Sequence, residues 1–138
     1  MKRVLLAAMR SPFLDSDRVY PPLGILYLKS ALQKEGFECD VTDDFDPTHP
    51  EKYSQYDLFG ASVMTPQREQ AHEFVTTLKQ AYPDKMVIIG GPHAKHYVSE
   101  CLKEPWDHVV VEDGERVIPL ILQGFFPGSQ RIIHDKIR

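Results

Sequence analysis

Val87-Ile88-Ile89-Gly90-Gly91-Pro92-His93-Ala94 is the stretch whose reading decides the fold. Three β-branched residues in a row suit the end of a strand buried on both faces, which is the habit of parallel sheets. The glycine pair then removes side chains where the strand stops. In an open α/β sheet, ligands sit beyond the carboxyl ends of the strands. The pair therefore admits two readings: a ligand lying against bare main chain, or a tight strand-to-helix turn with nothing bound.

Working outward, the same grammar repeats. Val4 to Met9 is a short apolar run suited to a first strand, and Arg10 to Pro22 is a long loop with three prolines. Loops of that length in compact domains are usually functional or mobile. Apolar residues then recur at helical spacing from Ile25 to Glu35, with Gly36 where a C-cap is expected. Phe37 to Asp43 alternates with period two and gives a second strand, completing a parallel crossover unit. The polar segment from Asp44 to Tyr56 reads as loop with a turn of helix.

Asp57 to Met64 is the third strand, and Gly60 within it points to close packing against a neighbouring backbone. Thr65-Pro66 is a helix-start signal before a helix over Gln67 to Ala81. After the fourth strand, Met86 to Ile89, one helix is expected from Ala94 to Leu102, then a fifth strand over Asp107 to Val111. A turn at Glu112 to Glu115, a last helix from Arg116 to Gln123 and a short edge strand at Arg131 to His134 close the chain. These elements predict an α/β fold, a flavodoxin-like, doubly wound, mainly parallel five-stranded sheet of order 2-1-3-4-5 in a three-layer α/β/α arrangement. Residues 1–138 are expected to form a single domain.

Composition narrows the function. Hydrophobic residues at 42% and charged residues at 26% are ordinary for a globular protein. A net charge of −4 and no basic cluster argue against a nucleic-acid partner. The amino-terminal apolar run ends after six residues at Arg10, and no stretch approaches the ~20 apolar residues of a membrane span. Cys39 and Cys101 form no Cys-x-x-Cys pair, so neither a disulfide framework nor a thiolate cage is indicated, and the cytoplasm is the expected compartment.

Several chemistries fail on residue type. A phosphorelay receiver needs acids after strand 1, an Asp ending strand 3 and a Lys after strand 5, where this chain has Met9-Arg10, Ser62-Val63-Met64 and Glu112-Asp113. Neither a dinucleotide fingerprint nor a P-loop string occurs. His93, His96 and Glu100 can be drawn as a metal set, but His93 is expected in the turn before the helix, and two histidines three apart are more often solvated. No catalytic residue set emerges.

Four strings remain, each expected at a strand's carboxyl end: Pro21-Pro22-Leu23-Gly24, Ser62-Val63-Met64-Thr65-Pro66-Gln67, Gly90-Gly91-Pro92-His93-Ala94 and Asp113-Gly114-Glu115. In order and spacing they resemble the amino-terminal cobalamin (vitamin B12)-binding domain of cobalamin-dependent radical S-adenosylmethionine enzymes, over residues 3 to 124. Cobalamin domains of this fold carry Ser-x-Leu after strand 3 and Gly-Gly after strand 4, lining the crevice for the nucleotide tail. Ser62-Val63-Met64 stands for the first, with Met in place of Leu, and Gly90-Gly91 for the second.

The resemblance implies cobalamin held by Leu23, Gly24, Ser62, Met64, Thr65, Gly90, Gly91, Pro92, His93, Gly114 and Glu115. Ser62 would offer its hydroxyl to the tail, the alternative being a capping or loop hydroxyl. His93 would hydrogen-bond the cofactor's amides or phosphate, the alternative being a solvated turn residue.

Two departures shape the expectation. The Asp-x-His-x-x-Gly string that ligates cobalt in mutases would lie after strand 1, and Arg10 to Gly24 contains no His, so the cofactor is expected base-off and His-off. The Cys-x-x-x-Cys-x-x-Cys motif of the radical enzymes is absent. The iron-sulfur cluster and S-adenosylmethionine are therefore expected on a radical SAM domain or partner subunit. The chain is then the amino-terminal part or a stand-alone module of a methyltransferase-like system, not catalytic alone. The competing expectations are a corrin-free flavodoxin-like interaction or regulatory domain, and a small flavin enzyme.

Overall fold

A computed structural model describes residues 3–8, 23–42, 45–63, 67–111, 118, 120–123 and 130–133. Six strands form one sheet of order β2-β1-β3-β4-β5-β6, every neighbouring pair parallel. They are β1 (Arg3–Ala8), β2 (Glu38–Thr42), β3 (Leu58–Ser62), β4 (Met86–Gly90), β5 (His108–Val110) and β6 (Ile132–Ile133). The helices are α1 (Leu23–Lys34), α2 (Arg68–Ala81), α3 (Pro92–His96) and α4 (Val98–Leu102), with a 3-10 turn at Pro50–Tyr53. Residues 118 and 120–122 are helical as well.

The expected strand order holds through β5, and the sheet has six strands rather than five because β6 adds to its edge. Two residues make a weak ladder, and side chains reinforce it. The Arg131 guanidinium donates to the carbonyls of Leu102 (2.8 Å), Glu104 (2.6 Å) and Trp106 (3.1 Å), locking β6 against the turn that leads into β5. Ile133 is fully buried beside it.

Alternation along the strands divides the core in two. Leu5, Ala7, Phe59, Ala61, Val87, Ile89 and Val109 face α2, α3 and α4, with Phe74, Leu78 and Trp106 filling that layer. Val4, Leu6, Leu58, Ile88 and Val110 face the other way, against Leu32 of α1 and against Ile118, Ile121 and Leu122. Helix α2 reaches its layer through Ala71, Phe74, Val75 and Leu78, spaced as one helical face. Helix α1 stops as its glycine suggests: Gly36 has φ 91°, its N–H donates to the Gln33 carbonyl (3.1 Å) and the Phe37 N–H to that of Leu32 (3.1 Å). This pair of bonds satisfies carbonyls that the helix end leaves over.

Two local expectations are corrected. The single helix over Ala94 to Leu102 is two short ones, because Tyr97 adopts φ −128°, ψ 48° between them. Gly60 packs against side chains, not backbone: a Cβ there would meet Leu6 Cδ2 at 3.0 Å and Ile88 Cγ1 at 3.5 Å. The Thr65-Pro66 helix start lies outside the described residues.

Candidate functional site

The carboxyl ends of β1, β3 and β4 finish level. Ala8 pairs in register with Ser62, and Ser62 with Gly90. By the two-residue period, all three lie on the face that carries Leu6, Ile88 and Val110, the face shared with α1 and with Ile118, Ile121 and Leu122. The result is a ledge of three minimal side chains where a Leu, an Ile or a Phe would otherwise fill the layer. A Cβ added at Gly90 would find nothing closer than the Val110 carbonyl at 3.8 Å, so a methyl there would make only ordinary van der Waals contact.

Gly91 answers differently. Its φ is 91°, and a Cβ there would lie 2.9 Å from Val63 N and 3.0 Å from Val63 O. The Val63 N–H donates to the Gly90 carbonyl (3.0 Å), and the His93 N–H donates to the Val63 carbonyl (2.9 Å), stitching the end of β3 to the start of α3. The tight-turn reading accounts for Gly91, while nothing at Gly90 demands a glycine in the same way.

His93 is not the solvated turn residue considered from sequence. It is the second residue of α3 and 1% exposed, stacked on Tyr97 with ring centroids 5.3 Å apart. Its Nδ1 is buried with no hydrogen-bond partner among the described residues, and Nε2 stands 3.9 Å from Glu100 Oε1. On the same side of the sheet, a cleft of about 710 Å³ is lined by Arg68, His96, Tyr97, Glu100 and Lys103, among others. Arg68 approaches Glu100 at 3.8 Å. Among the described residues, no group of three or more His, Cys, Asp or Glu is placed to hold a metal ion.

Of the expected site residues, Ser62, Gly90, Gly91, Pro92 and His93 come together at the ends of β3 and β4. Leu23 and Gly24 open α1, on the face that bears the ledge. Met64, Thr65, Gly114 and Glu115 lie outside the described residues. Sequence reading passed over Ala8, whose signal was available only in pairing: counting by twos from Leu6 places it on the ledge. Glu100 was weighed only as a metal ligand, and its link to His93 depends on the break at Tyr97.

This is a doubly wound α/β domain in which several of the expected site residues gather at the strands' carboxyl ends. A family model for the B12 binding domain matches residues 13–122, and the chain belongs to that family. The cobalamin-domain resemblance read from the four strings is thereby borne out. The chain is 24% identical over 135 residues to cytidylyl-2-hydroxyethylphosphonate methyltransferase of Streptomyces wedmorensis, covering 79% of this chain and 25% of that protein. It is 27% identical over 118 residues to the anaerobic magnesium-protoporphyrin IX monomethyl ester cyclase of Cereibacter sphaeroides, covering 77% and 19%. The enzyme of that name from Rubrivivax gelatinosus is 29% identical over 129 residues, covering 83% and 23%.

The chain thus spans a quarter or less of the relatives it matches. Among solved structures, the N-terminal domain of the hypothetical protein TM0182 of Thermotoga maritima superposes with a TM-score of 0.58 at 23% identity, covering 86% of this chain and 92% of that one, a likeness of fold.

Proposed function

We propose that this chain holds cobalamin in a base-off, His-off state and presents it to a radical SAM domain or partner subunit for methyl transfer. The observation that supports the reading is the level ledge of Ala8, Ser62 and Gly90, three small residues in register at the strand ends on the α1 face, over which a nucleotide tail would lie. When bound, cobalamin supplies a cobalt centre able to carry a methyl group, and that chemistry belongs to the cofactor. The chain's share is geometric. Ser62 offers a hydroxyl at the strand end, Gly90 leaves room for a flat group, and Leu23 and Gly24 stand at the start of the covering helix. Pro92 and His93 border the ledge from the other side, and Met64, Thr65, Gly114 and Glu115 are proposed for the rim.

Two features separate the module from the reaction. The relatives named above include a methyltransferase and a cyclase, so a region common to both does not by itself select the reaction. Cys39 and Cys101 are buried in opposite core layers, so they cannot jointly ligate an iron-sulfur cluster. Cluster and S-adenosylmethionine are accordingly assigned to the other domain or subunit. Among the described residues no helix is long and apolar enough to cross a membrane, and two unpaired thiols suit the cytoplasm.

The test is direct. The protein is mixed with hydroxocobalamin, desalted and its visible spectrum recorded. Retained colour with a base-off spectrum is the expected result. A folded but colourless protein sinks the reading in favour of a corrin-free interaction domain, and retained flavin would favour a flavodoxin-type enzyme.

A further inference from the structure

His93 carries a buried polar atom that finds no partner among the described residues. Its backbone N–H is bonded to Val63, one ring face rests on Tyr97, and Nε2 looks toward Glu100, yet Nδ1 is buried and unpaired. Leaving a buried polar nitrogen so is unfavourable. An apolar residue would fill the same space without that cost. The ring stands two residues beyond Gly91, at the seam where β3 and β4 end.

The groups facing the imidazole fix its state. Glu100, from α4, is the nearest charge, 3.9 Å from Nε2, and its other oxygen is 3.8 Å from Arg68 Nη1 at the start of α2. Tyr97 covers the ring, while His96 and Lys103 line the same cleft as Glu100. A carboxylate opposite Nε2 favours the proton on that nitrogen. In the neutral ring, Nδ1 is then a lone pair, an acceptor waiting for a donor. The periphery of cobalamin bears primary carboxamides, which donate; its phosphate only accepts and would suit the other tautomer.

We propose that Glu100 is a positioning residue that holds the His93 imidazole as its Nε2–H tautomer, so that Nδ1 accepts a hydrogen bond from a carboxamide of cobalamin. This rests on the cobalamin-holding reading above. Because Nδ1 is covered, the donor must displace what covers it, and association is expected to be slower than simple docking.

Two measurements on the full chain test it. The first needs no cofactor: nitrogen NMR of histidine-labelled protein should show His93 protonated at Nε2, and Glu100→Ala should convert it to a mixture. A proton on Nδ1 in the unsubstituted protein, or no change in E100A, overturns the role of Glu100. The second is hydroxocobalamin retention. His93→Asn keeps a polar atom near the Nδ1 position and should retain cobalamin within about threefold, whereas His93→Gln, which mimics Nε2, should lose roughly tenfold or more. Equal effects in both overturn the assignment.

A protein that retains no cobalamin sinks the functional reading, and the NMR result still decides the tautomer separately.

Discussion

Gly91 and Val63 meet backbone to backbone: a single added carbon on the glycine would stand 2.9 Å from the valine nitrogen and 3.0 Å from its oxygen. Contacts that short do not occur, and at φ 91°, ψ −175° the glycine sits where residues with a Cβ are strained. Gly91→Ala should therefore destabilise the fold by about 1–3 kcal/mol from backbone strain, with steric overlap added. Urea unfolding measures this, and an unchanged midpoint would contradict the turn described here.

Gly90 should behave in the opposite way. A methyl fits beside Val110 at 3.8 Å, so Gly90→Ala is expected to change stability by less than about 1 kcal/mol. The methyl would intrude on the ledge, and overpacking of about 1–3 kcal/mol there predicts a roughly tenfold or greater loss of cobalamin retention. Retention equal to that of the unsubstituted protein would place the cofactor elsewhere.

Ser62 lies between Ala8 and Gly90 in register, half-buried. Ser62→Ala removes only a hydroxyl, so thermal stability should hold. If the hydroxyl binds the tail, its loss of about 0.5–1.5 kcal/mol weakens hydroxocobalamin retention roughly two- to tenfold, readable by equilibrium dialysis.

Arg131 makes a prediction about the edge of the sheet. Arg131→Met strips the donor from the carbonyls of Leu102, Glu104 and Trp106 and frees β6, at a cost on the order of 2 kcal/mol. Arg131→Lys should recover part of it, because an ammonium cannot span three acceptors as the planar fork does. Melting temperatures of the two variants give the comparison.

Burial raises the Cys39 thiol to about 12 and the Cys101 thiol to about 11 from the usual 9. Since the thiolate is the nucleophile, both should react with a disulfide reagent far more slowly in the native protein at pH 8 than in urea. The sign for stability follows. Each folded pKa lies above its unfolded value, so this contribution is fully present below pH 9 and is lost as pH rises through 9 toward 11–12. Denaturation midpoints between pH 8 and 11 should decline accordingly.

Much of this was legible in the chain because the signals are local. Val87 to Ile89 and Val4 to Leu6 announce parallel strands by being apolar on both faces, and Gly36 announces the end of α1. What escaped depends on register and on contacts distant in sequence. Nothing near Ala8 says that it will stand beside Ser62, 54 positions later, and no local pattern reveals that the glycine at 91 is demanded by Val63. From sequence His93 admits a cofactor contact or a solvated turn, since it is placed before the helix with a second histidine three residues on. It is in fact buried and stacked on Tyr97, where the break between α3 and α4 brings Glu100 back toward the imidazole.

The three-residue ledge also carries a diagnostic. If cobalamin docks there, a platform made by subtraction is easily abolished, since one substitution to a branched or aromatic residue at position 8, 62 or 90 would close it without disturbing the strands. A homologous domain that has given up the vitamin should therefore betray itself at those positions, while its helices and sheet order stay unaltered.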